Sequence, residues 1–209
     1  MSRLPSPAPA DPLPLVREWL DEAAAGTRRN PTAMALATAD PAARPAVRMV
    51  LLKHLSVEDG YVVFYTNYGS RKSAELEANA RAAGVLYWEA LGRQLRLEGP
   101  VVRSPVEESD AYFATRPRGS QINAWASEQS RPLDDPAALE QRAAEVAATA
   151  GALSRPPFWG GYRLWLDALE LWAEGADRFH ERLRYTRTLT PLDPSRFAAG
   201  PWRHQRLQP

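Results

Sequence analysis

The chain opens with a helical stripe: Leu13, Val16, Trp19, Leu20, Ala23 and Ala24 recur at three- and four-residue spacing, and Gly26 closes the run. The pattern then shortens. Ala33–Ala39 reads as a short buried strand, followed by a Pro-flanked turn from Asp40 to Pro45. Ala46–His54 reads as a second strand and Tyr61–Thr66 as a third, rich in aromatic and β-branched residues. Gly69-Ser70 starts a helix to about Asn79, with Ser70 as N-cap. Ala83–Glu89 and Gln94–Val102 form a strand pair joined through Gly92.

Ser104-Pro105-Val106-Glu107 has the form of a capping box with proline at the first helical position, predicting a helix to Thr115 that Pro117 stops. Ser120–Ser127 predicts a short helix, then comes a polar loop, Glu128 to Asp135. Pro136 opens an Ala/Glu-rich helix to Ala150. Gly161–Trp172 reads as one long strand, and Arg182–Arg187 and Trp202–Leu207 as two more. Thr188 to Pro201 reads as a connection without periodicity. About seven strands and four or five helices result. They do not alternate regularly, which argues against a doubly wound parallel sheet and for an α+β fold, an antiparallel barrel with helices outside. Neither an internal repeat nor a domain-sized break is present, so residues 13–209 are expected as a single domain behind a flexible N-terminal arm, residues 1–12.

Composition narrows the chemistry. The 209 residues carry a net charge of only +1, so no global basic field points to nucleic acid or an anionic membrane. Without cysteine there are no disulfides, thiolate metal sites or cysteine nucleophiles, and His54, His180 and His204 include no pair at helical ligand spacing. No stretch has the ~18 apolar residues that read as a membrane span, so the expected compartment is cytoplasmic. Of the 26 basic residues only Lys53 and Lys72 are lysine. Coding bias accounts for most of that excess of arginine, yet each lysine sits in a dense motif. An ammonium and a guanidinium are not interchangeable in a phosphate pocket.

Glycine-rich phosphate loops and serine elbows are both missing. Four clusters of basic and aromatic residues stand in their place. Arg48-Met49-Val50-Leu51-Leu52-Lys53 puts a cation at each end of an apolar strand, where a buried charge needs a partner. In Phe64–Lys72, Arg71 and Lys72 fall in the first turn of a helix, where positive charge opposes the macrodipole unless an anion is near. Tyr112 and Arg116 lie one helical turn apart, with Ser120 just past a proline break, a reasonable grip for a dianion. In Trp172–Arg182, an extended chain would place Arg178, His180 and Arg182 on one face, suited to an anionic or electron-rich planar ligand. Each cluster also has a plain structural reading: edge residues reaching solvent, or arginines capping a helix end.

Together these motifs resemble the pyridoxine (pyridoxamine) 5′-phosphate oxidase family, from about Asn30 to Pro209. The segments that carry the likeness are R-M-V-L-L-K, F-Y-T-N-Y-G-S-R-K, R-P-R-G-S-Q-I-N-A-W, F-W-G-G-Y-R and the ending His204–Pro209. The resemblance implies an FMN-binding split barrel and a homodimer with flavin between subunits. It also implies oxidation of a phosphorylated B6 vitamer by O₂. Arg48, Tyr65, Thr66, Arg71, Lys72, Gln94, Gln129, Ser130, Trp172 and Arg182 would contact FMN, with Met49, Val50, Leu51 and Leu52 beside its ring and Lys53 at the strand's end. Lys53, Tyr112, Arg116 and Ser120 would hold the substrate phosphate, and Arg178 and His180 would lie over the pyridine ring as the catalytic pair. The chain departs from the family's usual pattern at Phe179, at Asn30, in its short arm without tyrosine and in its long 188–201 connection. A same-fold flavin oxidase of phenazine type and a non-catalytic flavin or pyridoxal-phosphate binder are the alternatives. A phenazine-type substrate lacks the phosphate that Lys53, Tyr112, Arg116 and Ser120 are suited to read.

Overall fold

A computed structural model describes residues 4–26 and 29–209. Six antiparallel strand positions close into a ring. β1 (Ala33–Ala39) pairs with β2 (Pro45–Leu51) and with β5 (Arg81–Trp88), and β5 pairs with β6 (Arg93–Arg103). β6 in turn meets β7 (Trp159–Trp165), β7 meets β4 (Tyr61–Asn67), and β4 meets β3 (His54–Ser56). The segment expected as one strand over 46–54 is therefore two. At the break, the Leu52 amide donates to Thr32 O on the β1 side (2.9 Å) and the Lys53 amide to Val63 O on β4 (2.8 Å). That two-residue step closes the barrel and turns Lys53 out of the apolar run.

The barrel is split because β6 serves two sheets. Residues 93–98 pair with β8 (Ala168–Ala173), while residues 101–103 pair with β7. The strand bends at Gly99, where a Cβ would strike the carbonyl of Trp165, so only glycine lets the two backbones approach. Beyond β8 the sheet continues to β9 (Glu181–Thr186) and β12 (Arg203–Leu207). The expected long strand 161–172 is broken at Leu166-Asp167, and the expected connection 188–201 contains a hairpin, β10 (Leu189–Asp193) with β11 (Arg196–Ala199). Phe197 of that hairpin packs on Trp165.

Met34, Leu36, Phe64, Leu86, Leu95, Leu97 and Leu164 fill the core and are fully or almost fully buried. α1 (Leu13–Ala25) packs Leu13, Val16, Trp19, Leu20 and Ala23 of its predicted stripe there, with Trp19 edge-on to Trp88, while Ala24 stays exposed. The remaining helices are α2 (Arg71–Ala78), α3 (Val106–Thr115), α4 (Arg118–Ala126) and α5 (Pro136–Ala147). The capping box at 104–107 does not form. Ser104 is tied into the sheet by its amide, which donates to Gly161 O at 2.9 Å; its buried hydroxyl has no partner, and Pro105 takes the N-cap position. Ser70 does stand at the N-cap of α2, without a side-chain cap bond. The stretch expected as a flexible arm lies, from Leu4 onward, against the far sheet edge. Leu4 is buried and its amide donates to Glu181 (3.1 Å), Arg206 donates to Pro5 O (2.9 Å), and the Tyr185 hydroxyl donates to Pro9 O (3.1 Å).

Among the described residues, one end of a face of the large sheet is left uncovered. Val47 and Met49 on edge strand β2 are 69% and 63% exposed, and Tyr87 is also exposed. Cross-strand register runs Met49–Ala35–Val85, so an apolar strip crosses β2, β1 and β5.

Candidate functional site

Pairing of β4 with β7 presents Tyr65 and Trp159 to the same side, and α3 brings Tyr112 onto them. The rings stack, with centroids 3.9 Å apart for Tyr65–Tyr112 and 5.4 Å for Tyr65–Trp159. This stack walls a cavity of about 520 Å³. Lys53, Tyr112, Arg116 and Ser120, from the β2–β3 step, α3, its C-cap and α4, all line that cavity, as do Leu51, Tyr65, Thr66 and Gln129. All four residues expected to grip a phosphate thus converge on one space.

The electrostatics of that space are those of an anion site. The Arg116 guanidinium lies over Trp159 at 4.4 Å, and its buried Nη1 has no partner among the described residues. Burial holds this guanidinium below its ordinary pKa, and among the described residues no carboxylate pairs with it. Lys72, buried beside the cavity floor, donates to Gln129 (2.7 Å), Thr66 (2.9 Å) and Ser70 (3.2 Å), all neutral acceptors. Burial first, then the nearby Arg48 charge, bring its pKa down to about 8. A buried cation satisfied only by neutral oxygens is costly unless an anion arrives.

Behind Lys72 stand Arg48 and Arg71. Both bond to the buried Glu75 carboxylate, Arg48 at 2.9 Å and Arg71 at 2.7 Å. Burial pushes that carboxyl up, but hydrogen bonds from Thr38, Arg71 and Arg48 outweigh it and leave the pKa below the usual range.

The other expected residues lie elsewhere. Gln94, Trp172 and Arg182 occupy one cross-strand row on β6, β8 and β9, on the same sheet face as the apolar strip, since Tyr87 is opposite Gln94. Arg182 is held by both oxygens of the buried Glu170 (2.9 and 3.1 Å). The extended row Arg178–His180–Arg182 is not formed. Residues 176–178 make a tight 3-10 turn in which Asp177 and Arg178 have φ of 51° and 65°. A Cβ at Gly175 would meet the carbonyl of Phe179, so this turn too depends on a glycine. His180 packs on Trp172 (4.6 Å) and accepts the Gly175 amide at Nδ1 (3.3 Å), which in the neutral ring leaves Nε2–H as the outward donor. Arg178 and His180 line a second cavity that shares no residue with the first.

Met49 is exposed, Val50 is half-buried and Leu52 is in the core, so of the apolar strand only Leu51 reaches the cavity with its side chain. Ser130 is exposed in a left-handed conformation, φ 73°, beside Gln129. Sequence reasoning gave no role to Trp159, Glu75 or Glu170. Trp159 lies within the quoted F-W-G-G-Y-R segment; for Glu75 the one available signal is its i,i+4 spacing from Arg71, and Glu170 has none, since its partner Arg182 is on another strand.

Comparison with known proteins gives one answer. Residues 20–150 match the family model described as pyridoxamine 5′-phosphate oxidase, and residues 159–209 match the pyridoxine 5′-phosphate oxidase C-terminal dimerisation region. The chain is 49% identical over 205 residues to a pyridoxine/pyridoxamine 5′-phosphate oxidase from Rubrobacter xylanophilus, covering 97% of this chain and 88% of the relative. It is 46% identical to the enzyme of that name from Rhodospirillum rubrum, with 95% and 96% covered. Among solved structures it is similar to PhzG from Burkholderia lata in complex with tetrahydrophenazine-1-carboxylic acid, at TM-score 0.85 and 36% identity, covering 96% of this chain and 94% of that one. A pyridoxamine 5′-phosphate oxidase-related, FMN-binding protein from Nostoc punctiforme shares the fold at TM-score 0.71 and 16% identity, with both chains covered in full. With both matched regions and near-complete coverage by relatives of almost half identity, the chain belongs to the pyridoxamine 5′-phosphate oxidase family.

Proposed function

We propose that this protein oxidises pyridoxamine 5′-phosphate, pyridoxine 5′-phosphate or both to pyridoxal 5′-phosphate, using FMN and O₂ and releasing hydrogen peroxide. The observation that carries the reading is the convergence of Lys53, Tyr112, Arg116 and Ser120 on one cavity with the Arg116 cation unpartnered. Two cations and two hydroxyls match a phosphate dianion. PhzG is bound in its structure to a carboxylic acid, and a monoanion of that kind would leave the second cation without a charge partner.

The flavin phosphate would be held by Arg48, Arg71 and Lys72, with Thr66, Gln129 and Ser130 alongside. The buried Lys72 ammonium, bonded only to neutral groups, fits that role. Tyr65 and Leu51 would flank the ring system. Gln94, Trp172, Arg182, Arg178 and His180 do not line the cavity of their own chain. A second copy docked on the apolar strip of β2, β1 and β5 would bring its row against the cavity, giving a homodimer with each site built from both chains. Arg178 and His180 of one copy would then cover the pyridine ring held by the other.

The chemistry supplied by bound FMN is acceptance of a hydride from substrate C4′ and return of the electrons to O₂. The chain's own part is placement. Lys53 and Arg116 fix the phosphate, the Tyr65–Tyr112–Trp159 stack keeps the wall rigid and dry, and His180 Nε2–H is presented as a donor. No side chain has to act as a covalent nucleophile.

Aerobic incubation of the FMN-loaded protein with pyridoxamine 5′-phosphate should yield aldehyde and peroxide in equal amounts, and unphosphorylated pyridoxamine should react far more slowly. No turnover by protein that holds FMN would overturn the proposal.

A further inference from the structure

Glu75 is the least expected member of the cation cluster. It sits on α2, is 4% exposed, and receives three donors: the Thr38 hydroxyl, Arg48 Nη2 at 2.9 Å and Arg71 Nε at 2.7 Å. A carboxylate placed among three cations that are to bind an anion would ordinarily weaken the site. Its geometry says otherwise. It takes Arg71 by the Nε edge, and neither terminal nitrogen of Arg71 has a partner among the described residues. It takes Arg48 by Nη2, while Nη1 is anchored to Leu36 O (3.3 Å) and to Thr38. Both guanidinium planes are therefore fixed by a buried group whose own position is fixed by Thr38 on β1.

Charge points the same way. Arg48, Arg71 and Lys72 carry three positive charges and Glu75 one negative, leaving +2. A phosphate monoester carries roughly −1.5 to −2 near neutral pH. With Glu75 in place the cluster balances that group, and without it Arg48, Arg71 and Lys72 would repel one another in a partly buried space.

We infer that Glu75 is a positioning residue for the flavin phosphate: it holds Arg48 and Arg71 in the orientation that receives the phosphate and keeps the cradle near charge balance. The inference rests on the assignment of Arg48, Arg71 and Lys72 to FMN. It predicts that the carboxylate strengthens FMN binding although it bears the same sign as the ligand.

The test is flavin titration of the apoprotein, followed by quenching of flavin fluorescence, with FMN and with riboflavin, which lacks the phosphate. Glu75→Gln should raise the Kd for FMN on the order of tenfold, the loss of about one charge-assisted contact, and leave the Kd for riboflavin unchanged. A general loosening of the fold would weaken both flavins equally and overturn the inference, as would unchanged or tighter FMN binding by the variant. Should Glu75→Gln not fold, Glu75→Asp keeps the charge but shortens the reach. It should still weaken FMN several-fold with riboflavin unaffected, and wild-type FMN affinity in that variant would equally overturn the role. Failure of the wild-type protein to prefer FMN over riboflavin would instead strike the cofactor assignment itself, a separate outcome.

Discussion

The cavity beside α3 and the turn at 174–180 are both rich in charge and aromatic rings, and they are built in opposite ways. In the cavity, the half-buried Arg116 lies over Trp159 with its buried Nη1 unpartnered among the described residues, while Lys53 is exposed at the rim. In the turn, Arg178 is exposed, two successive residues have left-handed backbone, and only His180 is pinned, by Trp172 and the Gly175 amide. The first is the space proposed to take the substrate phosphate. The second lines a separate cavity and shares no lining residue with the first. The difference is the one the proposed function uses: phosphate recognition within one copy and coverage of the reacting ring by another.

The largest effect should come from removing the unpartnered cation. Arg116→Ala is expected to raise KM for the phosphorylated substrate on the order of 100-fold, given ~2–5 kcal/mol for a charged contact and tenfold per ~1.4 kcal/mol. Because among the described residues that guanidinium has no partner beyond its contacts with the Trp159 and Phe113 rings, the melting temperature should move by less than about 4 °C. A large drop in melting temperature with KM intact would make Arg116 structural. Next comes sharing of the site. Arg116→Ala and His180→Ala homodimers should each be nearly inactive, and co-refolding them in equal amounts should restore about a quarter of wild-type activity, since half the dimers are mixed and each has one intact site. No restoration would place both residues in the same copy's site.

A smaller effect depends on pH. Lys72 is depressed to about 8 from 10.5 by burial, then by Arg48. In the proposed cradle the FMN phosphate would take the ammonium as partner, so the Kd for FMN should climb above pH 8, by up to about tenfold per unit. In the apoprotein the unfolded chain binds the extra proton between these two values, so apoprotein stability gains from this group as pH rises through that window. Lys72→Met should flatten both trends; a flat FMN profile in the wild type from pH 7 to 10 would contradict this account. The smallest effect is in the turn. Asp177→Gly relieves a left-handed residue and should change stability by no more than about 1 kcal/mol in denaturant melts. Activity should fall as Arg178 loses its fixed approach, and unchanged kcat would show that the turn's shape is immaterial.

Much of this was readable where the periodicity was clean. β1 was read to the residue because its Ala/Met/Leu alternation matches a half-buried strand, burying Met34, Leu36 and Thr38. The hairpin through Gly92 was equally plain, that residue having φ of 56°. The β7–β8 boundary was hidden because both strands are buried on two faces and their turn, Leu166-Asp167, has neither glycine nor proline. Pro191 and Pro194 disguised β10 and β11, whose two-stranded ribbon tolerates a missing amide. In the site, motifs brought Lys53, Tyr112, Arg116 and Ser120 to one cavity. The extended row at 178–182 failed because Asp177 and Arg178 wind the chain, a local choice that alternate spacing does not reveal. The Arg71–Glu75 pair is local, one helical turn apart, but the contacts of Glu75 with Arg48 and of Glu170 with Arg182 join residues 27 and 12 apart.

The ring stack has one more consequence. Tyr65 and Tyr112 lie nearly parallel at 3.9 Å, with Trp159 at 8–9° to both. Aromatic chromophores locked in a chiral array produce near-ultraviolet circular dichroism, which is lost when packing loosens even if secondary structure survives. The wall of this cavity therefore carries its own optical gauge, readable before any flavin is added, and the band should be altered by Tyr112→Leu while the far-ultraviolet spectrum stays as it was.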